Sequence, residues 1–475
     1  MDRVNTQQNQ ASALITQLQK QRHSFEQSGG FDFQTRLDKL NQLKHALIQH
    51  QQHIVSALAN DYGHRASFDT LLADVMPCIN QINYTRKHLA KWIKPSRRHA
   101  GLLLAPANVK VHYQPLGVIG IIVPWNFPVM LSLGPLITAV AAGNHAMIKL
   151  SEFTPAVNQV IKQIVAQVFS DEQVYIVEGE ADVAAQFSAL PFDHLLFTGS
   201  TEVAKHVMRA AAENLTPVTL ELGGKSPVII APDMDIDIAV ERMIFGKCLN
   251  AGQICVSPDY VLLPKDKQQA FIDAYKTKFE QLYPNFIDNQ DYSNVINLRQ
   301  FERLLAVIED AKQQGAQVEP VTSNSIDIPQ RKMATQLISQ VTDSMLVMQQ
   351  EIFGPLLPIV AYDDLEQAIS YVNQRPRPLA LYIMSFEQTT SQQIISRTHS
   401  GGVCVNETVF HVAADDAPFG GIGPSGMGHY HGKEGFLSFS HAKTVLSRGR
   451  FNTGKLVHPP YGNKIQQLLF KIFMR

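Results

Sequence analysis

The sequence has only four cysteines, Cys78, Cys248, Cys255 and Cys404, scattered over 475 residues. That is too few and too dispersed for a disulfide scaffold. The nearest two, Cys248 and Cys255, are separated by six residues, so the close pairs of structural zinc sites are missing too. No run of ~20 apolar residues is present, which excludes a helical membrane span. The start, MDRVNTQQNQASALITQLQKQRHSF, lacks a continuous apolar stretch and does not read as a signal peptide. Charge is scarce: Asp, Glu, Lys and Arg make up 17% of the chain, with 42 acidic residues against 41 basic. A net charge of −1 argues against general attraction to nucleic acid or to anionic membranes. Hydrophobic residues, by contrast, supply 45% of the chain, enough to bury large cores and to exclude disorder for most of it. A prior of ~150 residues per domain gives about three folding units. The expectation is a cytoplasmic globular enzyme.

Patterning then divides the chain. Through residue 95, Leu14, Ile15, Leu18, Leu37, Leu40, Leu43 and Leu47 recur at helical spacing, with Gly29-Gly30 breaking one helix from the next. The stretch 91–112, KWIKPSRRHAGLLLAPANVKVH, reads as a crossover into an extended segment, its basic cluster facing solvent or another subunit. From Gly117 the texture alternates. GVIGIIV predicts a strand, PWNFP a turn, Met130 to Ala142 a helix ended by Gly143-Asn144, and HAMIKL a second strand. Helices over 155–169, 182–190 and 201–212 then alternate with strands at 174–177, 194–198 and 218–222. This predicts a parallel sheet covered by helices on both faces, with ligands bound beyond the carboxyl ends of its strands. A second α/β stretch runs from Ser226 to about Gly421, with helices at 236–249 and 268–283 and strands at 356–360 and 380–384. The tail KIQQLLFKIFMR is short, basic and amphipathic; docking on its own protein is expected, with a membrane surface as the alternative.

Several familiar signatures fail on context. Gly224-Lys225-Ser226 looks like the end of a P-loop, but Thr219 stands where a glycine is required and the residues after it read as a strand. Gly421, Gly423 and Gly426 spell a dinucleotide fingerprint without the strand and helix that give it meaning. His429, His431 and Glu434 are a cheap coincidence among 17 histidines, so no metal is expected. Ser425 has Met427 where a nucleophile elbow needs glycine.

Three residues stand out chemically. Cys255, in NAGQICVSPDY, lies on an irregular turn after a helix, where backbone amides can face a reacting oxygen. A free cysteine is more often a small buried hydrophobe, which is the reading for Cys78, Cys248 and Cys404. Glu221, in VTLELGGKSP, is a carboxylate at a strand end beside two glycines. It is either a hydrogen-bonded structural group or a general base raised in pKa by burial. Asn126, in PWNFP, offers a neutral donor directly after a strand, suited to a developing oxyanion. Lys149 and Glu152, in KLSE, follow the next strand, where a nucleotide ribose or phosphate would lie.

In order, PWNFP (124–128), KLSE (149–152), FTGS (197–200), ELGGKSP (221–227), GQIC (252–255), EIFGP (351–355) and PFGGIGPSGMG (418–428) resemble the aldehyde dehydrogenase superfamily over nearly the whole chain. The PDY after the cysteine, SGMGHYHGKEGF and HPPYG look most like its class-3-like branch, and within it the bacterial coniferyl aldehyde dehydrogenases.

The resemblance implies an α/β fold with a Rossmann-like cofactor domain (1–96 and 117–225), a second α/β catalytic domain (226–421), and a small bridging and oligomerisation part (97–116 and 422–475). It implies a homodimer that acts on a small-molecule aldehyde, with no nucleic-acid partner and no integral membrane association. Cys255 would attack the aldehyde, with Asn126 and the Cys255 backbone N–H holding the oxyanion. Hydride transfer to the nicotinamide would leave a thioester, hydrolysed by water that Glu221 activates. On the cofactor side, Lys149 and Glu152 would bind the adenosine ribose, Gly199 and Ser200 the pyrophosphate, and Glu351 the nicotinamide ribose, with Phe353, Trp125 and Leu222 around it. Leu150 and Ala204 stand where the family usually has Pro and Gly. The first is expected to loosen the turn aiming Glu152, and the second to add a methyl near the pyrophosphate helix. Glu152 favours NAD over NADP by bonding a free 2′-hydroxyl. A CoA-acylating relative is disfavoured because it needs no water-activating base, and a non-catalytic protein because the whole set is present. Phe410, His411 and Phe419, with Ile254 and Val256 beside the nucleophile, suggest an apolar funnel for aromatic aldehydes such as coniferyl aldehyde, or for medium-chain ones.

Overall fold

The computed structural model describes residues 2–451 and 453–474; Met1, which opens the stretch tested as a leader, and Arg475, which ends the amphipathic tail, lie outside them. Two parallel sheets dominate. The first runs in the order Gly426–Met427, Val218–Leu222, His194–Gly199, Val118–Ile122, His145–Lys149, Val174–Val177. Every neighbouring pair is parallel except the first. The chain enters at Val118–Ile122, steps outward to one side, then returns to build the other. Strand order therefore reverses between Val118–Ile122 and His194–Gly199, the crevice where such sheets take ligands.

The strands are apolar on both faces because both are covered. Ile119, Ile121, Ile148 and Leu196 join a core with helices Phe33–Tyr62, Met76–Trp92, Pro128–Ala142 and Pro155–Val168. Their alternates Val118, Ile122, Met147, Leu195 and Phe197 pack with Leu14, Leu18, Val183, Phe187 and Val207 on the other side. Local chemistry sets the helix ends. Pro128 occupies the first turn of its helix, whose last turn closes on Gly143 at φ +92°. Ser200 caps Thr201–Ala212 by accepting from the Val203 N–H, and Asp235 caps Ile236–Cys248 by accepting from Ile238.

The second sheet runs Gln317–Pro320, Gln336–Ser339, Leu356–Tyr362, Tyr260–Pro264, Pro227–Ile230, Ala380–Met384, Gly402–Val405. Again one edge pair is antiparallel and the rest are parallel. Pro227–Ile230 following Lys225 is the strand that argued against a P-loop. The glycine-rich turn at 420–428 ends in Gly426–Met427, which pairs antiparallel with Leu220 and Glu221. A third, small sheet joins Ser96–Arg98, Asn108–Pro115 and Ser440–Ser447, all antiparallel.

The tail forms helix Lys464–Phe473 but does not dock as expected. Ile465, Leu468, Phe470, Ile472 and Phe473 are exposed, and Gln466 alone in the helix is buried. The reason is visible in its anchor: Gln466 Nε2 donates to the His458 carbonyl at 2.9 Å, which turns the polar position inward and the apolar stripe away.

Candidate active site

The turn after Val118–Ile122 carries Asn126 and is fixed from below by residues of the N-terminal helices. Asp74, fully buried, pairs with buried Arg65 at 2.8 Å. Its other oxygen accepts from the Val129 and Met130 N–H groups at 3.0 and 3.1 Å, at the start of helix Pro128–Ala142. The Arg65 guanidinium lies 5.0 Å over the Tyr62 ring and 5.1 Å over Phe127. The Tyr62 hydroxyl donates to the Asn126 carbonyl at 3.2 Å. The turn is thus held on both sides, and the Asn126 side chain points at the nucleophile loop, its Nδ2 donating to the Gln253 carbonyl at 3.1 Å.

That loop leaves helix Ile236–Cys248 through Asn250, Ala251 and Gly252, at φ +50°, +53° and +72°. Three successive left-handed residues need outside support. Asp69 accepts from the Asn250 N–H at 3.0 Å. The buried Gln253 side chain donates to the Asn250 and Asn294 carbonyls at 2.8 and 3.1 Å and accepts from the Ile296 N–H at 3.0 Å, using its full amide. Gly252 is required sterically, since a Cβ there would stand 2.6 Å from the Gly354 carbonyl oxygen. The absence of that atom brings the Cys255 loop against the segment bearing Glu351 and Phe353.

Cys255 is half-buried. Burial, then the carboxylates of Glu351 and Glu221, push its thiol up to about 12. Those two charges act on the thiol because the fold brings them to it. Burial raises Glu221 well above the ordinary carboxylate range, and neither of its oxygens has a hydrogen-bond partner. Glu221 therefore carries the signature of a reactive carboxylate and not of a structural one satisfied by N–H groups. The glycine-rich turn seats it: Gly420 leaves room for Glu221 Oε1, and the Leu222 N–H donates to the Ser425 carbonyl at 3.1 Å.

A cleft beside this centre has the residues a dinucleotide needs. Buried Lys149 donates to Glu152 at 3.0 Å, beyond the end of His145–Lys149. Leu150, expected to loosen that turn, does the opposite: its side chain is fully buried and its N–H donates to the Val177 carbonyl at 3.0 Å, a bond proline could not make. Ala204 is buried within its helix's core face. Gly199 and Ser200 lie at the start of helix Thr201–Ala212, whose free N–H groups suit a pyrophosphate. A cavity of about 590 Å³ continues from there past Lys205, Gly223 and Lys225 to Glu351. Gly223 makes the cradle, since a Cβ would occupy the Glu351 carboxylate position. Glu351 Oε1 is buried without a partner, and burial, reinforced by Asp259, lifts its pKa to about 8. The Lys225 ammonium pairs with Asp259 and donates to the Val347 and Gln350 carbonyls at 2.7 and 2.9 Å, holding the Glu351 segment. Trp125 meets the Phe353 ring edge-on at 5.2 Å. Leu222 is placed differently, its side chain buried in the core under helix Thr201–Ala212. An orphaned carboxylate oxygen, a helix N-terminus and an ammonium–carboxylate pair at successive strand ends fit a nicotinamide dinucleotide.

Cys255 and Phe419 pack against the core that contains Tyr382, and further aromatic rings cluster there. Phe410 stacks on Phe245 at 5.6 Å, His411 lies between Tyr382 and Phe419 at 5.9 and 6.1 Å, and the Tyr382 hydroxyl donates to the Val256 carbonyl. Burial lowers the His411 pKa to about 4, so the ring is neutral and this cluster carries no cation there. Ile254 and Val256 are both buried. Among the described residues no cluster of three or more His, Cys, Asp or Glu is arranged to hold a metal ion, and the His429 ring instead faces the Phe419 carbonyl at 3.1 Å.

Residues that sequence reasoning missed are those acting through others: Tyr62, Arg65, Asp69 and Asp74 from the first helices, and Gln253 inside a motif that drew attention only to its cysteine. A basic and two acidic residues within ten positions in an apolar stretch were the only available signal.

A half-buried thiol, an unpartnered carboxylate and an amide donor around one cleft, with a dinucleotide crevice alongside, define an aldehyde-oxidising dehydrogenase. Residues 4–445 match the aldehyde dehydrogenase family, and the chain belongs to it. It is 51% identical over 467 residues to a probable coniferyl aldehyde dehydrogenase of Pseudomonas aeruginosa, covering 98% of this chain and 97% of that one. It is 44% identical to a coniferyl aldehyde dehydrogenase of a Pseudomonas species, over 97% and 96% of the two chains. The substrate-bound structure of Staphylococcus aureus AldH superposes with a TM-score of 0.91 at 36% identity, covering 97% of this chain and 99% of that one. The protein is thus an aldehyde dehydrogenase, catalysing NAD(P)-dependent aldehyde oxidation.

Proposed function

We propose that the enzyme oxidises an aromatic aldehyde of the coniferyl type to its carboxylate with NAD, by a hydrolytic route. Cys255 Sγ attacks the carbonyl carbon; a carbon–sulfur bond forms, and the thiol proton passes to Glu221 or to solvent. The Asn126 amide and the Cys255 N–H stabilise the oxyanion. When bound, the dinucleotide supplies the hydride acceptor, and Lys149, Glu152, Ser200 and Glu351 are the residues to hold it. Glu221 then takes a proton from the water that attacks the thioester, releasing carboxylate and the Cys255 thiol. The carrying observation is Glu221, buried, unpartnered and electrostatically coupled to Cys255; acyl transfer to CoA would have no use for it.

The aromatic cluster around Phe410 and His411 and the names of the two Pseudomonas relatives support the substrate class. Glu152, already bonded to Lys149, supports NAD by leaving no place for a 2′-phosphate. The two large sheets and the small antiparallel one support a division into cofactor, catalytic and bridging parts, with strand Gly426–Met427 of the 422–475 segment joining the first sheet. Strand Ser440–Ser447, at the edge of the small sheet, offers its outer backbone to a second copy, as a cytoplasmic homodimer requires. A panel of aromatic and aliphatic aldehydes with NAD or NADP, with product identification, tests the reading. Acyl-CoA formation, or no activity on any aromatic aldehyde, refutes it.

A further inference from the structure

Helix Leu298–Gln313 touches both halves of the proposed chemistry. Its start is tied to the nucleophile loop: the Ile296 N–H donates to Gln253 Oε1 at 3.0 Å, and Asn297 then caps the helix by accepting from the Gln300 N–H at 2.9 Å. One turn further on, Leu304 fills the space that Gly354 leaves, where a Cβ would stand 2.6 Å from the leucine Cδ2. The helix is thus seated directly against the segment that carries Glu351 and Phe353.

Arg303 reaches from that helix into the segment. Its Nε donates to Gln300 Oε1 at 2.9 Å, which fixes the plane of the guanidinium. Its Nη2 donates to the Ile352 carbonyl at 2.7 Å and to the Phe353 carbonyl at 3.4 Å. The grip falls on strained backbone. Phe353 has φ +46°, a left-handed conformation that costs about 1–2 kcal/mol in a residue with a Cβ and persists only where the surroundings hold it. Asp259 takes the Ile352 N–H at 2.9 Å, so the residue before the strained one is bonded at both its N–H and its carbonyl. Arg303 does not itself line the cofactor cavity, whereas Glu351 does. Its positive charge nevertheless opposes the burial that lifts the Glu351 carboxyl.

We propose that Arg303 is a positioning residue for the cofactor: by holding the Ile352 and Phe353 carbonyls it sets the Glu351 carboxylate and the Phe353 ring for the nicotinamide half of the dinucleotide. The inference rests on the reading that Glu351 and Phe353 meet that half. Fastening the helix to the segment would not by itself need this arginine, since Leu304 against Gly354 already does so. What the guanidinium adds is a planar fork that bonds Gln300 through one nitrogen and two successive carbonyls through another, which a single ammonium cannot reproduce.

The test is NAD titration of the full chain followed by tryptophan fluorescence, because Trp125, one of only 2 tryptophans, meets the Phe353 ring. Arg303→Met is expected to raise both the NAD dissociation constant and the KM for NAD at least about tenfold, as losing a charged hydrogen bond does. The KM for aldehyde should stay within about twofold of the parent. Arg303→Lys keeps the charge and the stem where the methionine variant folds poorly, and should show the same split at about threefold. NAD affinity within about twofold of the parent in both variants overturns the proposal. So does an equal rise in the two KM values, which marks a merely structural tie. Glu351→Gln, titrated in parallel, separates the two ways to fail. If it too leaves NAD affinity unchanged, the ribose reading falls and takes the clamp with it. If it weakens NAD while both Arg303 variants do not, the clamp alone falls.

Discussion

Replacing Gly252 by alanine tests how closely the nucleophile loop depends on one missing methyl. The Cβ built there lies 2.6 Å from the Gly354 oxygen and 3.0 Å from its carbon, both backbone atoms. Restoring ordinary contact requires about 0.8 Å of separation between the two loops. The backbone at φ +72° adds about 1–2 kcal/mol for any residue with a Cβ. Gly252 and Gly354 belong to the segments bearing Cys255 and Glu351, so the displacement falls between thiol and cofactor. A shift of that size is expected to lower kcat about a hundredfold, while the denaturation midpoint falls only modestly. Ala251→Gly, at φ +53° and one position earlier, is the control: it removes strain and should change stability by less than about 1 kcal/mol and kcat little. Steady-state kinetics and urea denaturation of both variants decide. Gly252→Ala with kcat within threefold of the parent would refute the packing argument.

Asp74→Asn leaves Arg65 buried without its counter-charge and should cost about 3–5 kcal/mol, read as a lower denaturation midpoint, with kcat falling as the Asn126 turn loosens. The Cys255 thiol, raised to about 12, should react with iodoacetamide at pH 8 at least a hundredfold more slowly than an ordinary cysteine, its rate still climbing at pH 10. Because a raised acid holds its proton to higher pH, a rate that levels off below pH 9 would contradict the burial, reinforced by the two carboxylates, that holds the thiol up. Glu152→Gln removes the negative charge that repels a 2′-phosphate and frees Lys149 from its ion pair, and should shift the NAD-to-NADP ratio of kcat/KM by about ten- to a hundredfold toward NADP; an unchanged ratio would move the ribose site elsewhere.

The alternation from Gly117 to Leu222 was legible because each strand is buried on both faces and each crossover is short, so periodicity and punctuation agree. The proposed site residues Asn126, Lys149 and Glu221 were legible because they sit at or just beyond strand ends within motifs. What escaped is what tertiary structure alone creates. Arg65 and Asp74 look like surface charges until a helix start more than fifty residues away takes both N–H bonds to Asp74. Leu150 looked like a loosened turn because its bond partner, Val177, lies on a neighbouring strand. The tail's amphipathicity was correctly read, but no local pattern says which way such a helix faces.

The central claim is that Cys255 and Glu221 act in succession on one carbonyl carbon. Glu221→Gln, mixed with aldehyde and NAD and quenched in acid, tests it by mass spectrometry of the Cys255 peptide. The account predicts a burst of about one NADH per site, an acyl group on Cys255, and steady turnover reduced about 10²- to 10⁴-fold. Full turnover with Cys255 unmodified would contradict it.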